Sequence, residues 1–139
     1  MIEFHYELDF ELPDENLFSN WVYDMVSSEK ASIKQIVYIF CDDRFLLNLN
    51  QKYLEHDEYT DIVTFDYSQA DDIAGDIFIS VDRLRENALL YNVYFEEELK
   101  RVMAHGVLHL MGYNDKSPEE IAEMRWKEAE KMKLFHVEQ

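Results

Sequence analysis

His105-Gly106-Val107-Leu108-His109-Leu110-Met111-Gly112-Tyr113-Asn114-Asp115 is an apolar stretch with two histidines four residues apart. From Val102 to Met111 the residues are apolar almost all round a helical wheel. That pattern predicts a buried helix over Phe95 to Met111. On this helix His105 and His109 share one face, one turn apart. Gly112 supplies a stop, because glycine readily takes the left-handed conformation that ends helices. The chain can then turn and bring Asp115 back towards the two rings. Two imidazoles and one carboxylate make a three-ligand metal site with one position open, an arrangement typical of hydrolysis. The competing reading is a pair of core histidines bonded to backbone carbonyls. It leaves Gly112 and Asp115 without a role, and unpartnered imidazoles would cost a few kcal/mol to bury.

Working outward, Ile2 to Asp9 alternates as a strand, with His5 on the polar face of Glu3, Glu7 and Asp9. Pro13-Asp14 opens a helix to about Ser28, whose Leu17, Phe18, Trp21, Val22 and Met25 recur at core spacing. Ile33 to Cys41 reads as a buried strand, and Asp42 or Asp43 caps a helix to about Tyr53. His56 to Asp61 is a polar loop. Ile62 to Tyr67 and Gly75 to Ser80 form an antiparallel pair joined through Ser68 to Ala74. Asp82 to Tyr91 is a helix. Ser117-Pro118-Glu119-Glu120 starts the last one, which runs to about Leu134. The expected fold is α+β, an α/β layered domain with a four-stranded mixed sheet packed with about five helices. Periodicity does not fix the strand order.

With 139 residues, the expectation is a single metal-dependent hydrolase domain spanning 1–139. No stretch is long and apolar enough for a bilayer span. The opening residues lack the basic and apolar regions of a signal peptide. Cys41 is the only cysteine, so no intrachain disulfide forms, and a cytoplasmic address is expected. The net charge of −17 argues against nonspecific nucleic-acid binding, which normally uses a basic patch. Arg83, Arg85, Lys100 and Arg101 fall just before or within the histidine helix. They make a local basic wall for RNA or, equally, solvated helix faces.

Two families share the spacing of the histidine stretch. Metzincin proteases carry H-E-x-x-H-x-x-G-x-x-H. Here the second position is Gly106, so the glutamate that serves those enzymes as general base is missing. The pattern H-G-x-L-H-L-x-G-Y-x-[HD] instead resembles the YbeY family of bacterial rRNA-maturation endoribonucleases, matched at His105, Gly106, Leu108, His109, Leu110, Gly112 and Tyr113. Leu49-Asn50-Gln51-Lys52-Tyr53, then Asp57 and Thr60-Asp61-Ile62-Val63-Thr64-Phe65, resemble a second block of that family. Gly75-Asp76-Ile77-Phe78-Ile79 resembles a third. The resemblance runs from about Phe45 to Met132 and departs at two positions. The third ligand, commonly His in the family, is Asp115, and the family's Arg after the tyrosine is Leu54.

The resemblance implies a zinc-dependent, single-strand-selective endoribonuclease acting in ribosomal RNA maturation and ribosome quality control. One Zn2+ per chain would be held by His105, His109 and Asp115. Ligand type alone leaves room for other divalent transition metals. Its implied partners are ribosomal RNA or the small ribosomal subunit, with a ribosomal or ribosome-assembly protein as a further candidate, and no membrane. His56 is the candidate catalytic group, and Asp61 and Asp76 are candidates for orienting the ligating histidines. The alternatives are a metal-dependent hydrolase of another substrate, including a peptidase, or a noncatalytic ribosome-associated metal-binding protein.

Overall fold

The computed structural model describes residues 1–54 and 59–135. In chain order the elements are β1 (Ile2–Tyr6), α1 (Glu15–Ser28), β2 (Ser32–Cys41), α2 (Asp43–Leu54), β3 (Ile62–Asp66), β4 (Asp72–Ser80), α3 (Val81–Tyr91), α4 (Phe95–Leu110) and α5 (Pro118–Met132). The strands form one mixed sheet in the order β1-β2-β4-β3. β1, β2 and β4 are parallel neighbours, and β3 pairs antiparallel with β4. The parallel pairs require crossovers, which the intervening helices supply. The expected antiparallel pair is β3–β4. β4 begins at Asp72 rather than Gly75, because β2 extends to pair Ser32 with Asp72. β1 stops at Tyr6 rather than Asp9, because its partner strand runs out at Cys41.

Alternation along the strands gives the sheet two buried faces. Ile36, Tyr38 and Phe40 of β2 and Ile77 and Ile79 of β4 cluster with Trp21, Val22 and Met25 of α1 and Val102, Met103 and Val107 of α4. The Tyr38 hydroxyl meets its one need in that core by donating to the Met103 carbonyl at 3.0 Å. On the opposite face Cys41, Leu46 and Val63 are buried, with Phe65 and Phe78 packed against them. Burial pushes the Cys41 thiol up to about 12, so it is a packing residue and not a reactive thiolate. Among the described residues no helix is long and apolar enough to cross a membrane.

Helix α4 lies close to the sheet because Gly106 has no side chain. A Cβ there would stand 2.8 Å from Ile77 Cγ2 and 3.0 Å from Ile62 Cδ1. Helix propensity alone favours Ala over Gly by about 1 kcal/mol. Overpacking a tight core costs about 1–3 kcal/mol. Packing should win, because Ile77 is fully buried and its Cγ2 is branched close to the backbone.

At the other edge, Glu29 at the end of α1 gathers three donors. Tyr113 Oη donates to it at 2.5 Å, Lys127 Nζ at 3.1 Å and Lys131 Nζ at 2.6 Å. Lys131 is itself 1% exposed and also donates to Ser28 Oγ. Burial alone would raise the Glu29 carboxyl, but the bonds from Lys131, Tyr113 and Lys127 outweigh it and lower it from 4.5 to about 2. This cluster ties α1, α5 and the turn after α4 together.

Two expectations follow from the packing. Gly106→Ala should lower stability by about 1–2 kcal/mol in urea unfolding, against its helix propensity; a stabilised variant would show that α4 has room to move. Glu29 has a folded value below its ordinary one, so its contribution is complete above pH 4.5 and is lost as pH falls towards 2. Glu29→Gln should therefore be less stable than the parent at pH 7, and the gap should close across that acid window. A gap that stays constant from pH 7 to pH 2 would contradict the assignment.

Candidate metal centre

The end of α4 is built by a Schellman turn. Tyr113 N–H donates to the Leu108 carbonyl and Gly112 N–H to the His109 carbonyl, each at 3.0 Å. Gly112 has φ +98, the left-handed conformation that glycine adopts without strain. Tyr113, held by Glu29, anchors the exit of the turn. The capping box of Ser117 and Glu120 fixes the start of α5. Between these two anchors the chain is brought back so that Asp115 faces the helix.

Three ligand atoms then converge. His105 Nε2 and His109 Nε2 are 2.9 Å apart, and Asp115 Oδ2 lies 3.2 Å from the first and 3.3 Å from the second. Zinc bonds of 2.0–2.1 Å at tetrahedral angles place neighbouring ligand atoms roughly 3.3 Å apart. The triangle therefore fits one small cation, with a fourth direction open. That direction leads into a cavity of about 320 Å³ lined by Thr60, Asp61, Thr64, Tyr91 and Arg125. Larger cavities elsewhere have no imidazole in their walls, so volume does not locate the chemistry.

Behind the triangle, His105 Nδ1 is 2.6 Å from Glu128 Oε2 on α5. Glu128 is 1% exposed and also accepts from Arg101 at 3.2 Å and Arg125 at 3.3 Å. Burial pushes its carboxyl up, but the bond from His105 and the charges of Arg101, His105 and Arg125 hold it below the usual range. An ionised carboxylate only accepts, so Nδ1 of His105 is its donor and Nε2 is the ring nitrogen that faces the triangle.

A family model described as endoribonuclease YbeY matches residues 6–136. The endoribonuclease YbeY of Flavobacterium psychrophilum is 58% identical, covering 100% of this chain and 99% of its own. The chain belongs to the YbeY endoribonuclease family. The YbeY of Flavobacterium johnsoniae is 52% identical over the whole of both chains. The solution structure of TM1509 from Thermotoga maritima superposes with a TM-score of 0.68 at 27% identity, covering 97% of this chain and 89% of that one.

Within this YbeY fold the other expected site residues are dispersed. Arg83 is locked onto Asp43 by three contacts of 3.0–3.1 Å. Arg85 lies 5.7 Å over the Phe95 ring and Lys100 4.0 Å over Phe135. Arg101 chelates Glu98 through two 2.8 Å bonds and stands 3.8 Å from Asp61. The four cations do not form one wall, because residues one or two apart on a helix point in different directions. Asp76 does not orient a histidine. It stands on the face of β4 opposite Ile77 and accepts from Tyr67. Asp61 does line the cavity, but its nearest charged partner is Arg101; burial lifts its carboxyl against the pull of Arg101 and His105. The orienting carboxylate is Glu128. His56 lies outside the described residues, as does the side chain of Leu54.

Glu128 and Arg125 were hidden in the acidic run of α5. The available signal was register: Met124, Glu128 and Lys131 recur at core spacing, and all three are buried. A glutamate in an apolar stripe calls for a buried partner. Glu128→Ala should destabilise the fold by about 3 kcal/mol, because it strips Arg101 and His105 of their shared acceptor. Glu128→Gln should lose less. Urea unfolding checks both, and an unchanged midpoint for Glu128→Ala would mean that the network is not holding α5 to α4.

Proposed function

We propose that this chain is a zinc-dependent endoribonuclease that cleaves single-stranded segments of ribosomal RNA during maturation of the small ribosomal subunit, acting in the cytoplasm. The observation that carries the reading is the triangle of His105, His109 and Asp115 beside an open cavity, in a chain of the YbeY family. Two imidazoles and a carboxylate suit zinc by donor type and separation. A bound zinc supplies Lewis-acid charge for phosphodiester hydrolysis.

The chain's own residues do the rest. Glu128 keeps the His105 ring in one tautomer and one orientation. Arg101 neutralises Glu128 and Glu98, so two buried carboxylates do not repel the phosphate. The cavity has room for little more than a nucleotide, which favours a strand whose bases are unstacked over a duplex. Gly106 leaves no glutamate beside the ligands for peptide hydrolysis.

His105→Ala and His109→Ala should each remove most bound zinc, since each deletes one of three protein ligands, and Asp115→Ala should weaken binding. Metal analysis of purified protein, with RNA cleavage measured with and without chelator, tests the reading. Full metal occupancy in the double variant His105→Ala, His109→Ala, or cleavage indifferent to chelator, would overturn it.

A further inference from the structure

A second cavity adjoins the metal centre. It measures about 420 Å³, has an apolar floor that includes Val93 and Met132, and shares Tyr91, Arg101 and Arg125 with the first. These three residues form the ridge between the two cavities. Tyr91 is 51% exposed at the end of α3, and among the described residues it has no hydrogen bond or ring partner. Arg101 is 19% exposed and saturated by Glu98 and Glu128. Arg125 is 54% exposed and contacts Glu128 alone at 3.3 Å. A guanidinium has five donors, so most of Arg125 is still available.

We infer that this second cavity is a nucleobase subsite: the base flanking the cleaved phosphodiester stacks on Tyr91 over the apolar floor, and Arg125 holds the phosphate between the two cavities. This rests on the endoribonuclease reading above. Charge selects the side on which the strand leaves the metal cavity. Beyond Asn114 lies a cavity walled by Glu29, Asp71, Glu120 and Glu123, which repels phosphate. The ridge offers the exposed guanidinium of Arg125 and an unpartnered aromatic ring. Glu97, at the edge of the apolar cavity, is an acceptor for a base's exocyclic amine rather than a phosphate contact.

The overall charge strengthens the case. At −17 the chain cannot draw RNA by long-range attraction, so its affinity has to come from stacking and a few local contacts. Stacking is tolerant of sequence and needs an exposed ring over an apolar bed, which is what Tyr91 provides. The subsite therefore takes a nucleotide of single-stranded RNA and excludes a base held in a duplex.

The test uses the zinc-loaded full chain, a short single-stranded RNA with phosphorothioate linkages, and the same strand with abasic nucleotides. Tyr91→Ala should weaken binding of the base-bearing strand roughly tenfold, while Tyr91→Phe, which keeps the ring, should bind as the parent does. The parent should bind the abasic strand about as weakly as Tyr91→Ala binds the normal one, and Tyr91→Ala should not discriminate between them. Arg125→Ala should reduce the slope of log affinity against log salt by about 0.7, one phosphate contact on a single strand. Zinc content should be unchanged in all three variants. Equal affinity of the parent and Tyr91→Ala for the base-bearing strand would overturn the subsite. Chelator-sensitive cleavage by the parent would leave the functional reading standing in that case. Absence of cleavage of the same strand with ordinary phosphodiester linkages by the zinc-loaded parent would instead strike the functional reading, and the subsite with it.

Discussion

The ionised carboxylate of Glu128, almost without exposure to water, sets the arrangement of everything around it. A buried carboxylate costs several kcal/mol unless its oxygens are met by good donors. Here one oxygen receives Arg101 and Arg125, and the other receives His105. Two of those donors come from α4 and one from α5, so satisfying the charge fixes how the two helices sit against each other. The same requirement fixes the ring of His105 and the guanidinium of Arg101. Glu98 then completes Arg101 from one turn earlier on α4. The triangle of His105, His109 and Asp115 is thus the exposed end of a buried ionic network. Its geometry is inherited from interactions that contribute to the fold.

Such a network explains which features could be read from the sequence and which could not. The histidine spacing, the Gly112 stop and the Ser117 capping box are local signals, each complete within a few residues, and the structure has all of them. Element types followed from periodicity, and the ends that moved did so for pairing reasons: β4 starts early because β2 offers it a partner, and β1 ends where β2 ends. Non-local pairing was the blind spot. Nothing near Arg83 says that Asp43, 40 residues away, takes its charge. Glu128 was one acid among many on α5, and only its register marked it as buried. Asp76 stood beside an apolar strand pattern, but its parity along β4 places it on the face away from α4. Counting cations in a segment overestimated the basic surface, because a helix distributes neighbours around its axis.

Internal pairing also reconciles an acidic chain with an anionic substrate. Arg83, Arg101, Lys127 and Lys131 all have carboxylate partners, so they add little to the outward potential. The same pairs quench part of the negative charge. What remains near the centre is the local balance. A divalent ion held by two imidazoles and one carboxylate would keep one net positive charge, where a third histidine in place of Asp115 would keep two. With such an ion bound, attraction for phosphate would be weaker than at an all-histidine site. The deficit would have to be met by groups at the cavity wall, where, among the described residues, Arg125 is the arginine with the more exposed side chain.

Gly106 shows how packing separates two chemistries that share a ligand spacing. A glutamate following the first histidine is the general base of the metalloprotease motif. In this chain the same position is turned about 100° away from the ligand face, as consecutive helical residues are. It is pressed against Ile77 and Ile62, where even a methyl group lacks room. The close approach that Gly106 permits brings α4 down onto β3 and β4, and the segment leading into β3 thereby becomes one wall of the metal cavity, through Thr60, Asp61 and Ile62. Restoring a glutamate would push the helix off the sheet and dismantle that wall. The residue that stands where the protease motif has its glutamate is the one whose lack of a side chain lets α4 and the β3 segment close on each other around the cavity.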